Sequence, residues 1–76
     1  MRMLKVARLP VEGLEALRLS DSLGLDQSKA AEAMGVSKPT FCRILAAARK
    51  TVSDALTQGM AISIEGGNYI IEEKEE

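Results

Sequence analysis

Seven apolar residues, Phe41, Ile44, Leu45, Ala48, Val52, Ala55 and Leu56, recur at the three- and four-residue spacing of a single helix face. Ser37 offers an N-cap hydroxyl, Pro39 falls in the first turn where its missing N–H costs nothing, and Gly59 supplies the stop. The spacing predicts a helix over 38–58. In a chain of 76 residues such a helix must be the axis on which everything else packs. A chain this short buries only about 60–65% of its unfolded surface, so association into a homodimer is expected to contribute to its stability.

Upstream, Asp26 caps a short helix over 27–34 that Gly35 closes. An earlier helix is expected from Val11 to Ser22, with Val11, Leu14 and Leu17 on its buried face and Ala16, Leu19 and Leu23 alongside. Pro10 suits its first turn and Gly24 its end, while Gly13 is unfavourable inside it by roughly 1 kcal/mol relative to Ala. Met3 to Leu9 alternates as a short strand, with Leu4 and Val6 on one face. After Gly59 the period changes to two: Met60, Ile62 and Ile64 alternate, Gly66-Gly67 offers a tight turn, and Tyr69, Ile70 and Ile71 follow. The expected fold is mainly α. It is one helix-turn-helix domain of three helices with a long third helix, plus a C-terminal β-hairpin able to pair with the N-terminal strand. Its parts are an arm over 1–9, a helical core over 10–59, a hairpin over 60–71 and an acidic tail over 72–76.

Composition excludes several functions. Histidine is absent and Cys42 is the single cysteine. The usual general base, the usual metal ligand and any internal disulfide are thereby removed. No nucleophile–base pair, metal-ligand spacing or cofactor loop stands in the sequence, so neither catalytic residue, cofactor nor metal is expected, and the chain reads as a non-enzyme. Cys42 reads as a small inert residue rather than a redox sensor, and Gly66-Gly67 as a turn rather than a phosphate loop. With no signal-peptide core and no apolar run long enough to cross a bilayer, the expected location is the cytoplasm.

Net charge is −1, which alone argues against nucleic acid, but its distribution reverses the argument. Residues 27–50 carry Lys29, Lys38, Arg43, Arg49 and Lys50 against Glu32, a net of +4, while 12–26 sum to −3 and 65–76 to −4. A local basic patch is what phosphate binding requires. Taken from Gln27, apolar residues fall at Ala30, Met34, Val36, Phe41 and Ile44, with small Ala31 at the helix crossing and Gly35 at the turn. This is the pattern of a helix-turn-helix. Opposite the apolar stripe of the long helix lie Pro39, Arg43, Ala46 and Lys50, flanked by Thr40, Cys42 and Ala47. Small residues there admit the helix to a major groove. Arg43 is placed for a base edge, and Lys38 and Lys50 for the backbone. Gln27, Ser28 and Lys29 at one helix start, and Ser37 at the other, bring N–H groups toward phosphates. The expected function is sequence-specific binding of double-stranded DNA by a transcriptional regulator that inserts helix 38–58 into the major groove. The N-terminal arm carries +3, and Lys5 and Arg8 could face Glu72 and Glu73 within or between chains. The alternative is a sigma-like interaction module that docks on RNA polymerase or another regulator.

The segments LEALRLSDSLGL, SKAAEAMGVSKPTFCRILAAARKTVSDAL and GMAISIEGGNY resemble the prokaryotic uncharacterised protein family 0251, or domain of unknown function 134. Its helix-turn-helix is similar to region 4 of sigma factors. The likeness runs from about Pro10 to Tyr69 and implies DNA binding, with Ser37, Lys38, Thr40 and Arg43 at the matching recognition-helix positions. Many members of that family carry a Cys pair in the N-terminal arm and further Cys after the G-G-N-Y. Here the arm is MRMLKVARLP and Cys42 is the only thiol, so no metal or redox role carries over. Gly13 stands where an acidic helix former is usual, which implies a looser start to the first helix.

Overall fold

The computed structural model describes residues 4–65. A strand β1 (Val6–Pro10) leads directly into α1 (Val11–Leu17), which widens into a π-helical turn over Arg18–Ser22. Then come α2 (Gln27–Met34), the long α3 (Lys38–Gln58) and a second strand β2 (Ala61–Glu65). The bounds of α2 and α3 and the caps Asp26, Gly35, Ser37 and Gly59 agree with the sequence reading. Asp26 Oδ1 accepts from the Lys29 N–H at 2.8 Å and Ser37 Oγ from the Thr40 N–H at 3.3 Å. Gly35 and Gly59 adopt φ of 71° and 67°, a left-handed conformation that a β-carbon would oppose.

The core is small and alanine-rich. Phe41 is wholly buried at the centre, surrounded by Ala16, Leu19, Ala30, Ala31 and Leu45, with Leu25, Met34, Val36 and Ile44 half-buried around it. Alanines at the crossings let three helices approach closely enough for one aromatic ring to fill the space between them.

The first helix departs from expectation in two ways. Its inward stripe is Gly13, Ala16 and Leu19, while Val11, Leu14 and Leu17 are only half-buried and Leu23 is exposed. The cause is Gly13. A β-carbon there would stand 3.2 Å from Ala48 Cβ and 3.2 Å from Leu9 Cδ1. The residue that seemed a weakness is the point where α1 crosses α3, and it turns the helix so that small residues face inward. The helix also does not remain α to Ser22. The Leu23 N–H reaches back to the Arg18 carbonyl at 2.8 Å, a five-residue step.

The strands also rearrange the expectation. β1 and β2 pair in parallel, Val6 opposite Ala61 and Pro10 opposite Glu65, so the pairing with the N-terminal strand forms within one chain. Leu4 and Val6 do share a surface, but it is the outward one, at 64% and 46% exposure, and Ala7 and Leu9 carry the inward face. Pro10 closes the strand and caps α1 rather than lying in its first turn. The second hairpin strand at 69–71, its Gly66-Gly67 turn and the partners Glu72 and Glu73 lie outside the described residues. Arg8 pairs instead with Glu65. No helix among the described residues is long and apolar enough to cross a membrane.

Candidate nucleic-acid interface

The connection Gly35–Ser37 joins the end of α2 to the start of α3, and the sequence-predicted residues divide between the start of α2 and the first half of α3. Gln27, Ser28 and Lys29 are exposed at the start of α2, and Ser37, Lys38 and Pro39 at the start of α3. Arg43, Ala47 and Lys50 follow along the exposed side of α3, with Ala46 exposed beside them. Thr40 is half-buried and helps build the cap, since the Ser37 hydroxyl donates to Thr40 Oγ1 at 3.0 Å. Cys42 is half-buried as well.

Ion pairing sorts the basic residues into two groups. Arg49 donates through Nη2 and Nε to both oxygens of Asp21, at 2.6 and 3.1 Å. That fork joins the π turn to α3 and holds the Asp21 carboxyl below its ordinary value. Arg18 forks onto Glu15 at 2.8 and 3.0 Å, with the same effect on that carboxyl. Lys50 Nζ lies 2.6 Å from Asp54 Oδ2, one helical turn on. Lys5, beside β1, and Lys29, Lys38 and Arg43 have no ion-pair partner among the described residues. Lys50, expected to serve the same role as Lys38, is therefore held by the protein itself. The Lys50–Asp54 spacing of i,i+4 was the signal for it in the sequence. The Arg49–Asp21 pair, 28 residues apart, left no such signal.

The two helix starts are also electrostatically unlike. At α2 the Asp26 carboxylate occupies the Lys29 N–H and places a negative charge where a phosphate would sit. At α3 the cap is the neutral Ser37, with Lys38 adjoining. The α3 start is thus the one that favours an anion. Beside it, a hollow of about 270 Å³ runs between Pro10–Gly13 and α3, lined by Glu12, Arg43, Ile44, Ala47, Ala48 and Thr51. Glu12 shares this hollow with Arg43, a neighbourhood that sequence reasoning missed because it depends on how α1 crosses α3.

Fold and site together define a small helical domain with a two-stranded parallel ribbon and an unneutralised basic patch at one end of its longest helix. The chain belongs to the family described as protein of unknown function DUF134, whose model matches residues 3–72. It is 53% identical over 76 residues to a UPF0251 protein of Thermoanaerobacter sp. (strain X514), covering all of this chain and 67% of that protein. A UPF0251 protein of Caldanaerobacter subterraneus is 54% identical over 67 residues, 88% of this chain and 57% of its own length. One of Moorella thermoacetica is 55% identical over 69 residues, 91% and 46% of the two chains. The chain thus spans about half to two thirds of the length of these curated relatives. No solved structure matches it.

Proposed function

We propose that the chain is a sequence-specific DNA-binding module of a transcriptional regulator, in which α2 and α3 act as a helix-turn-helix similar to region 4 of sigma factors. One observation carries this reading. Lys38 and Arg43, exposed along the first half of α3, have no carboxylate partner among the described residues, and neither has Lys29 at the start of α2, while Arg49 and Lys50 of the second half of α3 are paired. Exposed cations left unpaired along the start of a helix are what a polyanion rewards.

In this reading the first turns of α3 enter the major groove. Arg43 forks onto a guanine edge, Ala46 and Ala47 permit close approach to the base pairs, and Lys38 and Lys29 hold phosphates that set the register. Ser37 and Thr40 preserve the geometry of the helix start. Gln27 and Ser28 approach the backbone through their side chains, since Asp26 takes the place nearest the α2 N-terminus.

The test is to incubate the purified protein with sheared genomic DNA of its source at two salt concentrations and to sequence the retained fragments. Fragments sharing a motif are expected, with retention falling steeply as salt rises. Arg43→Ala should lose about 1–3 kcal/mol on the motif and little on unrelated DNA. Equal loss on all sequences would make Arg43 a phosphate contact. No retention even at low salt would overturn DNA binding and direct attention to RNA polymerase or another regulator as the partner.

A further inference from the structure

The hollow between the start of α1 and α3 holds a pair of opposite charges that the DNA-binding reading does not explain. On its α3 side Arg43, Ala47 and Thr51 form one row at i+4 spacing, with Ile44 and Ala48 in the row beneath. Small residues make the depression. α1 crosses α3 here on Gly13, where an added β-carbon would stand 3.2 Å from Ala48 Cβ, and Ala47 fills little of the space above. The Thr51 hydroxyl donates to the Ala47 carbonyl at 3.1 Å, so its hydrogen is already engaged by the helix backbone. The floor is therefore apolar, and the lining carries two charged side chains, Glu12 on the α1 wall and Arg43 on the α3 wall. Neither forms an ion pair, with the other or with any other described residue.

We propose that this hollow binds a small zwitterion with an apolar side chain, an aliphatic α-amino acid, whose carboxylate meets Arg43, whose ammonium meets Glu12 and whose side chain covers Ile44, Ala47 and Ala48. The volume of about 270 Å³ lies just under the roughly 300–1,000 Å³ of sites for drug-sized ligands, which suits a ligand as small as one amino acid. Charge selects the class. A phosphate or a lone carboxylate on Arg43 would bring a second negative charge toward Glu12, and a lone amine on Glu12 would face Arg43. The hydroxyls of a sugar would lose water over a floor that offers nothing in exchange. A zwitterion neutralises both walls at once, and each of its charges gains a charge-assisted hydrogen bond.

The site has a consequence for regulation, which rests on the DNA-binding reading. A ligand carboxylate on Arg43 takes the guanidinium from the guanine edge, and the ligand body covers Ala47 where the helix would approach the bases. Ligand and DNA then exclude one another, each weakening the other by the same factor.

Titration of the isotopically labelled whole chain with L-leucine, followed by amide NMR without DNA, tests the site independently of any DNA result. Saturable shifts at Gly13, Ala47 and Ala48 are expected, with a dissociation constant near or below about 1 mM. Glycine lacks the side chain, N-acetyl-leucine the ammonium and leucinamide the carboxylate, and each should bind about tenfold more weakly or worse. Glu12→Gln should weaken leucine by about tenfold and leave N-acetyl-leucine unaffected, while Arg43→Gln should weaken leucine and leave leucinamide unaffected. This crossed pattern separates two specific contacts from a general loss of structure. Ala47→Leu, which fills the hollow from an exposed position, should abolish leucine binding. No saturable shift up to about 10 mM leucine would overturn the proposal. Equal binding of leucine, N-acetyl-leucine and leucinamide would reduce the hollow to an apolar patch, and would overturn it too.

Discussion

The first and second halves of α3 share one apolar stripe but treat their polar residues in opposite ways. From Lys38 to Ala47 the stripe is anchored by Phe41 and Leu45 in the core, and the outward cations Lys38 and Arg43 are unpaired among the described residues. From Ala48 to Gln58 the inward residues are small or half-buried, the cations Arg49 and Lys50 are bound to Asp21 and Asp54, and Leu56 faces outward. One half is rigidly packed and electrostatically open. The other is lightly packed and electrostatically closed. The lesson is that a basic helix is not a uniform surface, because each cation is available only where no carboxylate of the same chain can reach it.

Phe41→Ala is the severest way to test the packing side of this contrast. Removing a wholly buried ring should cost about 3–5 kcal/mol, comparable to the entire stability of so small a domain. Loss of the cooperative thermal transition is the expected result, whereas Val52→Ala in the second half should cost only about 1 kcal/mol. Similar losses at the two sites would break the comparison.

The join between the halves comes next. Gly13 meets Ala48, the first residue of the second half, and Gly13→Val should destabilise the fold by about 1–3 kcal/mol through overpacking. Chemical denaturation measures it. A gain in stability, as helix propensity alone would predict, would show that α1 and α3 do not approach so closely.

Asp54→Asn sharpens the electrostatic side. It releases Lys50 to the open face, and the slope of log affinity for DNA against log salt should steepen by about 0.9. An unchanged slope would mean that Lys50 lies beyond the DNA whether paired or not.

The smallest effect is the acid sensitivity of the closed half. Arg49 lowers the folded-state value of Asp21, so the unfolded chain takes up this proton first as pH falls. The contribution of the pair is complete above the ordinary carboxylate value of about 3.9 and is lost as pH falls through the lower folded value. Asp21→Asn should therefore match the parent protein at the lowest pH and fall slightly behind it near neutrality, as thermal unfolding across the acid range would show. The gap is small because the pair is exposed to water.

The helices and caps of the α2–α3 unit were legible in the sequence because they depend on local chemistry. Asp26 and Ser37 bond N–H groups three residues away, Gly35 and Gly59 take a backbone conformation costly to other residues, and the stripe through Phe41 repeats at the helical period. The exposure of Arg43 and Lys38 followed from the same period. Asp54 was legible in principle, one turn from Lys50, but a charge count by segment concealed the pairing.

Sequence by itself thus determined which residues form helices, where α2 and α3 begin and end, and which side of α3 faces outward. Tertiary structure alone decided that Gly13 is a contact rather than a flaw, that Asp21 takes Arg49 out of the basic patch, and that β2 lies parallel to β1. Each of these joins positions distant in the chain, and local propensity carries no information about which distant group will occupy the space beside a side chain. Only the crossing of α1 over α3 settles that, because it sets at once the depth of the core and the reach of Asp21 to Arg49.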